Sequence, residues 1–543
     1  MAKIAELADK KYMRFILLAL SGILTGLAVC FPVIGIIAWV SLIPAAIVLM
    51  RLVKSEKNRL VSIYFYGFFF FMCYFVTSWH WFFSMYPMSF TGLSPAIALL
   101  IILLAVFGIP LVQSVSFALL FPLVAMIGRG RVARRAPYLL TLSAAAFWAI
   151  CEWSQNFFWF GVPWARLAIS QTKMLPEFQT VSLFGCCFLA FLIVAANFFV
   201  AYAILSEDKR RIFAAVGAGI FVFNSVFGAF SLLVDGIGEK SNREIKAAVI
   251  QGNISSTEKW GLDWYEKTEE SYMNLIEKAA GEGAELVVIP ETVFPIYIEN
   301  NASLRRTLSD AAKRYGIVLL VGTMTHGEDG SQRNVIVVVT PDGEIHLENY
   351  YSKRHLVPFG EYVPWRDLFT ALFPPLADIS MLDDDFAPGT DPAVFDTGDY
   401  KIGSAICFDS IFASLLRGSA NDGAEIIAIE TNDSWFSDSA AVYMHEAQAK
   451  LRAVETDRYV LRAANTGVSA IISPTGKVLG EIEPLVDGYL VKTVYARSGR
   501  TVYSFVGDVF VLLSALLVCG IFAADTVIRV KEKRKESMNN EGK

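Results

Sequence analysis

Cysteine, histidine and clustered positive charge are all scarce in the polar part of this chain. Only Cys407 of the seven cysteines lies outside a long apolar run, which excludes an intramolecular disulfide framework or a cysteine metal cluster there. His326, His346 and His445 show no metal-ligand spacing, so we expect no metal and no other cofactor. No polybasic run suggests nucleic acid as a partner. Cys407 is then either a small buried hydrophobe, the commoner role of a free cysteine, or a nucleophile.

Long apolar runs are abundant. The 543 residues are 55% hydrophobic with a mean hydropathy of +0.47, above the roughly 45–50% apolar content of soluble proteins. Since a bilayer core is about 30 Å thick, these runs predict about eight transmembrane helices. The first reads as an uncleaved anchor, because no A-x-A-like cleavage site follows it. The runs are 13–30, 31–50, 60–80, 93–127, 138–157, 180–205, 212–234 and 504–528.

Basic residues alternate from one connection to the next. Under the positive-inside rule this alternation predicts that both termini are cytoplasmic and that the polar domain between the seventh and eighth helices is outside. Trp79, Trp81, Trp153 and Trp164 then sit at the outer ends of their helices, as an aromatic belt does. The basic groups occupy 3–14, 51–59, 129–135, 209–211 and 529–535, whereas the connections near 31–37 and 81–92 contain no Lys or Arg.

The predicted organisation is a membrane domain over 1–240, a polar domain over 241–503, and a last helix with a basic tail over 504–543. In the polar domain strand-like and helix-like stretches alternate, which predicts an α/β sandwich with helices covering sheets. Hairpins are predicted around Pro341-Asp342-Gly343 and Pro474-Thr475-Gly476. The apolar-rich stretch at 362–392 is either packed in the core or a lid that dips toward lipid.

Three short segments collect polar groups at predicted strand ends. Val287–Pro295 holds Glu291 between apolar residues and two prolines, and Tyr351–Pro364 holds Lys353 and Glu361 eight residues apart. The third segment ends in Cys407. Each is weak evidence alone, because a carboxylate after a strand is usually a cap or solvated, and a loop lysine is usually exposed.

Together the three segments resemble the Glu-Lys-Cys constellation of the nitrilase superfamily. With apolar runs on both sides, the chain resembles over essentially its full length the bacterial apolipoprotein N-acyltransferase family, the membrane-bound branch of that superfamily. The Lys353–Pro364 segment is the most specific signal. The motifs that carry the resemblance are Gln251-Gly-Asn-Ile with Trp260, Pro290-Glu291-Thr, Lys353-Arg-His-Leu-Val-Pro-Phe-Gly-Glu361-Tyr-Val-Pro, Cys407, Thr431-Asn-Asp-Ser-Trp435-Phe and Arg462-Ala-Ala-Asn465-Thr-Gly467.

The resemblance implies a nitrilase-like αββα sandwich and a ping-pong acyl transfer. Cys407 is the implied nucleophile, Glu291 its general base and Lys353 the group that stabilises the tetrahedral intermediate. The implied acyl donor is a phospholipid, at the sn-1 position of phosphatidylethanolamine, and the acceptor is the α-amine of an S-diacylglyceryl-cysteine apolipoprotein. The implied location is the bacterial cytoplasmic (inner) membrane with a periplasmic catalytic domain. The supporting or substrate-binding residues implied are Glu361, Trp260, Phe408, Asp409 and Trp435.

The chain departs from the family pattern beside the nucleophile. The family usually has Tyr-Glu where this chain has Phe408-Asp409, and Ser437 stands where glycine is common. These changes point to altered positioning of the acyl group or of the acceptor. His355, although in the best motif, is expected to be packed or capping. Two other functions remain open: a membrane-tethered amidohydrolase that uses water as acceptor, and a non-catalytic lipid- or lipoprotein-binding protein. A transporter is disfavoured, because few charges lie within the spans.

Overall fold

In the computed structural model the chain divides into two units, one made of apolar helices and one that contains the β-sheets. The first unit comprises Met1–His80, Leu103–Phe230 and Asp508–Lys543, and the second comprises Trp81–Ile102 and Ser231–Gly507. The structure describes residues 7–55, 57–89, 92–157, 161–238, 243–255, 262–372, 385–390 and 394–541.

Apolar helices make up the first unit and the segments that adjoin it. Within the described residues, seven helical stretches are long and apolar enough to cross a membrane. The predicted run 138–157 forms a 17-residue helix, about 26 Å long at 1.5 Å per residue, which is the short end of the range for a span. The helices are α1 Lys11–Cys30, α2 Ala38–Ser41, α3 Ile43–Lys54, α4 Leu60–Ser78, α5 Pro95–Phe117, α6 Leu120–Arg129, α7 Arg131–Arg135, α8 Tyr138–Ser154, α9 Val181–Phe184, α10 Cys186–Leu205 and α11 Arg210–Gly238.

The second unit contains two six-stranded sheets, in the orders β12-β1-β2-β3-β4-β5 and β11-β10-β9-β8-β7-β6. The central strands β1-β2-β3 and β7-β8-β9 run parallel, and the outer pairs are antiparallel. The strands are β1 Glu244–Gln251, β2 Leu286–Val288, β3 Val318–His326, β4 Gln332–Val339, β5 Tyr351–Ser352, β6 Val394–Asp396, β7 Lys401–Ile406, β8 Ile426–Thr431, β9 Tyr459–Ala464, β10 Ser469–Ile472, β11 Val478–Ile482 and β12 Gly488–Tyr495.

The two sheets pack face to face with helices on both outer sides. Val249 and Leu286 of one sheet share a buried core with Ile402 and Ile426 of the other, as expected when the inner faces of two sheets interdigitate. This architecture confirms the predicted αββα sandwich. The remaining helices are α12 Leu262–Gly281, α13 Ala302–Tyr315, α14 Arg366–Leu372, α15 Ala413–Asn421, α16 Ala440–Thr456, α17 Val502–Val506 and α18 Val509–Glu541.

The predicted hairpin around Pro341 forms, but its second strand is short. The Gly343 N–H donates to the Thr340 carbonyl at 2.7 Å within the turn, and an antiparallel bridge joins Val339 to Ile345. Strand β4 also pairs antiparallel with β3 along its whole length and with β5 on its other side. The second predicted hairpin is confirmed by the pairing of β10 with β11.

Candidate active site

Glu291 lies just after β2 and is 6% exposed. Its Oε1 accepts hydrogen bonds from Lys353 Nζ at 2.9 Å and from Asn334 Nδ2 at 2.8 Å. Its Oε2 accepts the backbone N–H of Asn432 at 2.8 Å. Asn432 directly follows β8 of the other sheet, so this carboxylate joins the carboxyl ends of strands from both sheets. Three donors therefore fix its orientation between the sheets.

Lys353 follows β5 and is buried between two carboxylates. Its Nζ lies 2.9 Å from Glu291 Oε1 and 2.9 Å from Glu361 Oε1. Burial opposes the charge of the ammonium, but the two carboxylates hold the pKa of Lys353 well above its ordinary value. An ammonium has three N–H donors, and these contacts use two of them. Among the described residues no further acceptor binds Nζ, so one N–H is available to a third oxygen.

Glu361 anchors the loop that carries Lys353. Its Oε1 binds Lys353 Nζ and lies 3.3 Å from Asn334 Nδ2, while its Oε2 accepts the backbone N–H of Val357 at 2.8 Å. Burial and the charge of Glu291 raise the pKa of Glu361, and Lys353 opposes that rise. The side chain predicted to support Lys353 is therefore in direct contact with it.

Cys407 begins a short 3₁₀ turn after β7 and has a φ of +50°. Such a left-handed backbone is sparsely populated for residues other than glycine and is typical of functional turns. Burial and the charge of Glu291 raise the pKa of the Cys407 thiol, while Lys353 and a hydrogen bond with Thr431 lower it. The five-residue turn is too short to supply a helix dipole at the thiol. The thiol is therefore neutral at rest beside Glu291.

Asp409 is fully buried and clamps the Lys353 loop onto the turn of the nucleophile. Its Oδ2 accepts from the Tyr351 hydroxyl at 2.8 Å and from the Arg354 N–H at 3.2 Å. Its Oδ1 accepts the His355 N–H at 2.7 Å. These contacts tie the strand and the loop that carry Lys353 to the segment that carries Cys407. The carboxylate is fully occupied in holding the two segments together.

Removal of the Asp409 carboxylate is therefore expected to loosen the catalytic domain. Asp409→Ala leaves the buried Tyr351 hydroxyl and two partly buried backbone N–H groups without their acceptor. It is expected to lower the free energy of unfolding by about 2–4 kcal/mol. Asp409→Asn keeps one acceptor oxygen and is expected to lose less. The measurement is thermal unfolding in detergent, with exposed Asp396→Ala as the matched control. Equal melting temperatures for Asp409→Ala and the control would contradict the clamp.

The other predicted side chains lie around this turn. The Phe408 ring packs edge-on against Phe412, 5.3 Å between centroids. His355 stacks on the same ring at 3.8 Å, which confirms its expected packed role. Trp435 lies in the 3₁₀ turn Ser434–Phe436 that follows Asn432, and is partly buried. Trp260 lies outside the described residues.

Two residues of the 81–102 segment contact the Ser434–Phe436 turn within the second unit. Ser84 Oγ donates to the Phe436 carbonyl at 3.1 Å, and the Trp81 ring lies edge-on to Phe436 at 5.0 Å. Of the 362–392 stretch, residues 373–384 and 391–392 lie outside the described residues. Its described part exposes Trp365 and Leu372, with 63% and 71% of their surfaces accessible. The lid interpretation stays a prediction.

Two polar groups of this site were not identified from the sequence. Asn334 donates to both Glu291 and Glu361, and only the pairing of β3, β4 and β5 brings it there. Glu430 on β8 is fully buried, and neither carboxyl oxygen has a hydrogen-bond partner among the described residues. Burial, and then the charge of Glu291, raise the pKa of Glu430 well above its ordinary value, which favours the neutral form of this carboxyl group. A Cβ at Gly322 would lie 2.5 Å from Glu430 Oε2, so the glycine leaves room for it.

The structure brings together two groups of side chains that the sequence spacing did not indicate as metal ligands. Cys407, Asp433 and His445 present ligand atoms within 4.8 Å of one another, as do Glu344, His346 and Glu348. In the first group, Asp433 Oδ1 and His445 Nδ1 are hydrogen-bonded to each other at 2.8 Å. The second group is largely exposed, and such acidic surface groups are common without an ion.

Comparison with protein families matches two parts of the chain. Residues 246–501 match the carbon-nitrogen hydrolase family, and residues 21–199 match the apolipoprotein N-acyltransferase N-terminal domain. The structure of the Saccharomyces cerevisiae protein Nit3, a member of branch 10 of the nitrilase superfamily, superposes with a TM-score of 0.37 at 20% sequence identity, covering 48% of this chain and 93% of that one.

Two curated relatives match over most of their length. The chain is 33% identical over 408 residues to the apolipoprotein N-acyltransferase of Geobacter metallireducens, covering 73% of this chain and 76% of the relative. It is 30% identical over 489 residues to the apolipoprotein N-acyltransferase of Gloeobacter violaceus, covering 89% and 88%. Both matches include the apolar and the sheet-containing parts.

Proposed function

Because the chain belongs to the apolipoprotein N-acyltransferase family, we propose that it acylates the N-terminal amine of diacylglyceryl apolipoproteins through a Cys407 thioester. It is a membrane-embedded acyltransferase that modifies lipoproteins. The acyl donor in this proposal is a phospholipid, at the sn-1 ester of phosphatidylethanolamine. The acceptor is the α-amine of an S-diacylglyceryl cysteine, so the reaction completes lipoprotein maturation.

The first half-reaction forms the thioester. Glu291 accepts the Cys407 thiol proton as the sulfur attacks the ester carbonyl, because the thiol is neutral at rest and needs a base within the site. The carbonyl oxygen becomes an oxyanion that the remaining Lys353 N–H stabilises. When the intermediate collapses, the C–O bond breaks, and Glu291 returns the proton to the lysophospholipid oxygen. Glu361 and Asn334 hold Lys353 and Glu291 in place during these steps.

The second half-reaction forms the amide. The neutral α-amine attacks the thioester carbonyl, and its proton passes to Glu291. Lys353 stabilises the second oxyanion as it did the first. The C–S bond then breaks, and the sulfur recovers the proton from Glu291, which restores the resting site. Acyl transfer to an amine must outcompete hydrolysis, which favours a site shielded from water.

One observation carries the proposal: Lys353 is buried between two carboxylates beside a neutral thiol. A buried ammonium between two carboxylates keeps its charge at every working pH. Desolvation makes that charge a strong partner for an oxyanion. Lys353, Glu291 and Cys407 lie at the carboxyl ends of β5, β2 and β7, where ligands bind in α/β folds.

We further propose the bacterial inner membrane as the location, with both termini cytoplasmic and the catalytic domain on the outer side. The alternation of basic and neutral connections supports this orientation. In this proposal residues 1–240 and 504–543 form the membrane part, and residues 241–503 form the catalytic domain. In this arrangement the helices gather two substrates that are already membrane-bound.

A labelling experiment tests the proposed function. Purified protein is incubated with a phospholipid that carries a radiolabelled acyl chain, and hydroxylamine-sensitive label on the protein is measured. Wild type and Cys519→Ala, a control at an exposed cysteine, are expected to acquire label, whereas Cys407→Ala acquires none. A diacylated lipopeptide is then expected to remove the label as an N-acyl product. Release only as free fatty acid would identify an amidohydrolase-type enzyme, and an unlabelled wild type would leave a lipid-binding function.

A further inference from the structure

The peptide unit between Thr431 and Asn432 is held from both sides. Its N–H donates to Glu291 Oε2 at 2.8 Å, and its carbonyl accepts the backbone N–H of Asn465 at 3.0 Å. A trans peptide unit is planar, and its N–H and C=O groups point in opposite directions. Glu291 and Asn465 therefore lie at opposite edges of one rigid plane, so Asn465 helps to set the direction of the N–H that binds Glu291.

A side-chain contact joins the same two asparagines. Asn465 Nδ2 donates to Asn432 Oδ1 at 3.2 Å, and the same oxygen accepts the Ser434 N–H at 3.4 Å. The parallel pairing of β8 with β9 places Thr431 opposite Ala464, so Asn432 and Asn465 are the next pair, just beyond the ends of both strands. The side-chain contact thus extends the sheet to the edge where Glu291 binds.

The remaining polar atoms of Asn465 bind the segment that follows β1. Nδ2 donates to the Ile254 carbonyl at 2.7 Å, Oδ1 accepts the Ile254 N–H at 3.1 Å, and the Asn465 carbonyl accepts the Asn253 N–H at 2.8 Å. The Tyr272 hydroxyl lies 3.4 Å from Oδ1. The amide can therefore take only one orientation here, because a flip would oppose its NH₂ group to the Ile254 N–H. Asn465 is 3% exposed.

Asn465 thereby joins the two sheets beside the candidate base. Glu291 follows β2, which pairs with β1 in one sheet, whereas Asn432 and Asn465 follow β8 and β9 of the other. The bond from the Asn432 N–H to Glu291 crosses from one sheet to the other, and so do the bonds from Asn465 to residues 253–254. Both sets of bonds resist sliding of one sheet on the other at this point.

We propose that Asn465 is a positioning residue of the base, which holds the Thr431–Asn432 peptide so that its N–H keeps the Glu291 carboxylate oriented for proton transfer from Cys407. Its effect on the reaction passes through that peptide and through Glu291. The proposal deepens the proposed function and rests on Glu291 being its general base.

Substitutions at both asparagines remove the contact between their side chains. Asn432→Ala removes the acceptor but keeps the peptide N–H, whereas Asn432→Asp keeps an acceptor oxygen for Asn465 Nδ2. Asn465→Asp replaces the amide donor with a carboxylate oxygen. Asn421→Asp is the matched control, because Asn421 Nδ2 donates to the Ser504 carbonyl at 2.9 Å and the residue lies before β8 rather than after it.

Two rates are measured for each variant: thioester formation from labelled phospholipid, and alkylation of Cys407 by iodoacetamide. Asn432→Ala and Asn465→Asp are expected to slow thioester formation about 10- to 100-fold, because a small misplacement of a catalytic group has effects of that order. Alkylation needs no general base and is expected to keep the wild-type rate. Asn432→Asp recovers most of the thioester rate, which a general loss of packing would not predict. The control follows the wild type in both measurements.

The decisive comparison repeats Asn465→Asp in the Glu291→Gln background. If Asn465 acts through the base, it has no further effect once the base is absent, so the two substitutions are not additive. The double variant is therefore expected to form thioester as fast as Glu291→Gln alone. A residue that only stabilises the fold would instead multiply the two losses.

Three outcomes would overturn the proposal: full additivity of Asn465→Asp with Glu291→Gln, wild-type thioester formation in Asn432→Ala, or an Asn432→Asp variant no faster than Asn432→Ala. Should Asn465→Asp fail to fold, Asn432→Ala takes its place in the Glu291→Gln background, and additivity there overturns the proposal equally. A wild-type protein that acquires no acyl label gives a different result. It would overturn the proposed function and, with it, the role of Glu291 on which Asn465 acts.

Discussion

Glu291→Gln is expected to lower thioester formation by about 10²–10⁴-fold, the usual contribution of a positioned general base. The same substitution is expected to leave alkylation of Cys407 by iodoacetamide at pH 8 as fast as in the wild type or faster. The reason is that the Glu291 charge, after burial, raises the pKa of the thiol. Its removal lowers that pKa, so more thiolate is present although the base is lost.

The substitution Glu291→Gln is therefore expected to slow thioester formation without slowing alkylation. Glu348→Gln is the matched control, because Glu348 is largely exposed. Glutamine keeps the shape of the side chain and an acceptor for Asn334 or Asn432, so the sheets are expected to stay in register. If alkylation and thioester formation fell together, Glu291 would be a structural residue, and the base would have to be another group.

Lys353→Met is expected to be the most damaging single substitution to both stability and activity. It leaves Glu291 and Glu361 buried and facing each other without a cation, which typically costs about 3–5 kcal/mol when one partner of a buried pair is removed. It also removes the oxyanion partner, worth on the order of 10²–10³-fold in rate. Lys353→Met with Glu361→Gln is expected to recover part of the stability and none of the activity.

The stability loss of Lys353→Met is expected to depend on pH. The pKa of Glu361 is already raised in the wild type by burial and by Glu291, and loss of Lys353 raises it further. The folded state then binds protons that the unfolded chain, with a glutamate pKa near 4.3, releases. Native stability is therefore lost as the pH rises, and the deficit is larger at pH 8 than at pH 5.5. Thermal unfolding at both pH values checks this, and an equal deficit would contradict it.

The sequence was sufficient to predict the sandwich and the elements of its interior. Strand β1 is buried at all but two of its positions, and helix α12 places Tyr272, Leu275 and Ile276 in the core. The turn at Pro341 was predicted correctly, but a turn signal does not reveal how far the pairing extends beyond it. The neighbouring strand β5 is only two residues long, which is too short to show a periodic pattern.

Only those site residues that lie in the sequence motifs were predicted from the sequence. Glu291, Lys353 and Glu361 are in contact, and their catalytic roles stay predictions. Asp409 was expected to influence the acceptor, yet its carboxylate binds backbone donors of the Lys353 loop that become neighbours only on folding. His445 lies 38 residues beyond Cys407, and the crossover from β8 through α16 brings it back. No local sequence pattern indicates that His445 lies beside Cys407.

The candidate base and nucleophile belong to different sheets, since Glu291 follows β2 and Cys407 follows β7. Their separation is therefore set by the thickness of the apolar layer between the sheets, in which Leu286 and Ile402 lie. The thickness of that layer thus fixes how far the base lies from the nucleophile. Any change that lets one sheet slide on the other alters the distance from sulfur to base while every catalytic side chain is still present. Residues of this layer that contact no substrate are therefore also under selection for the rate of the reaction.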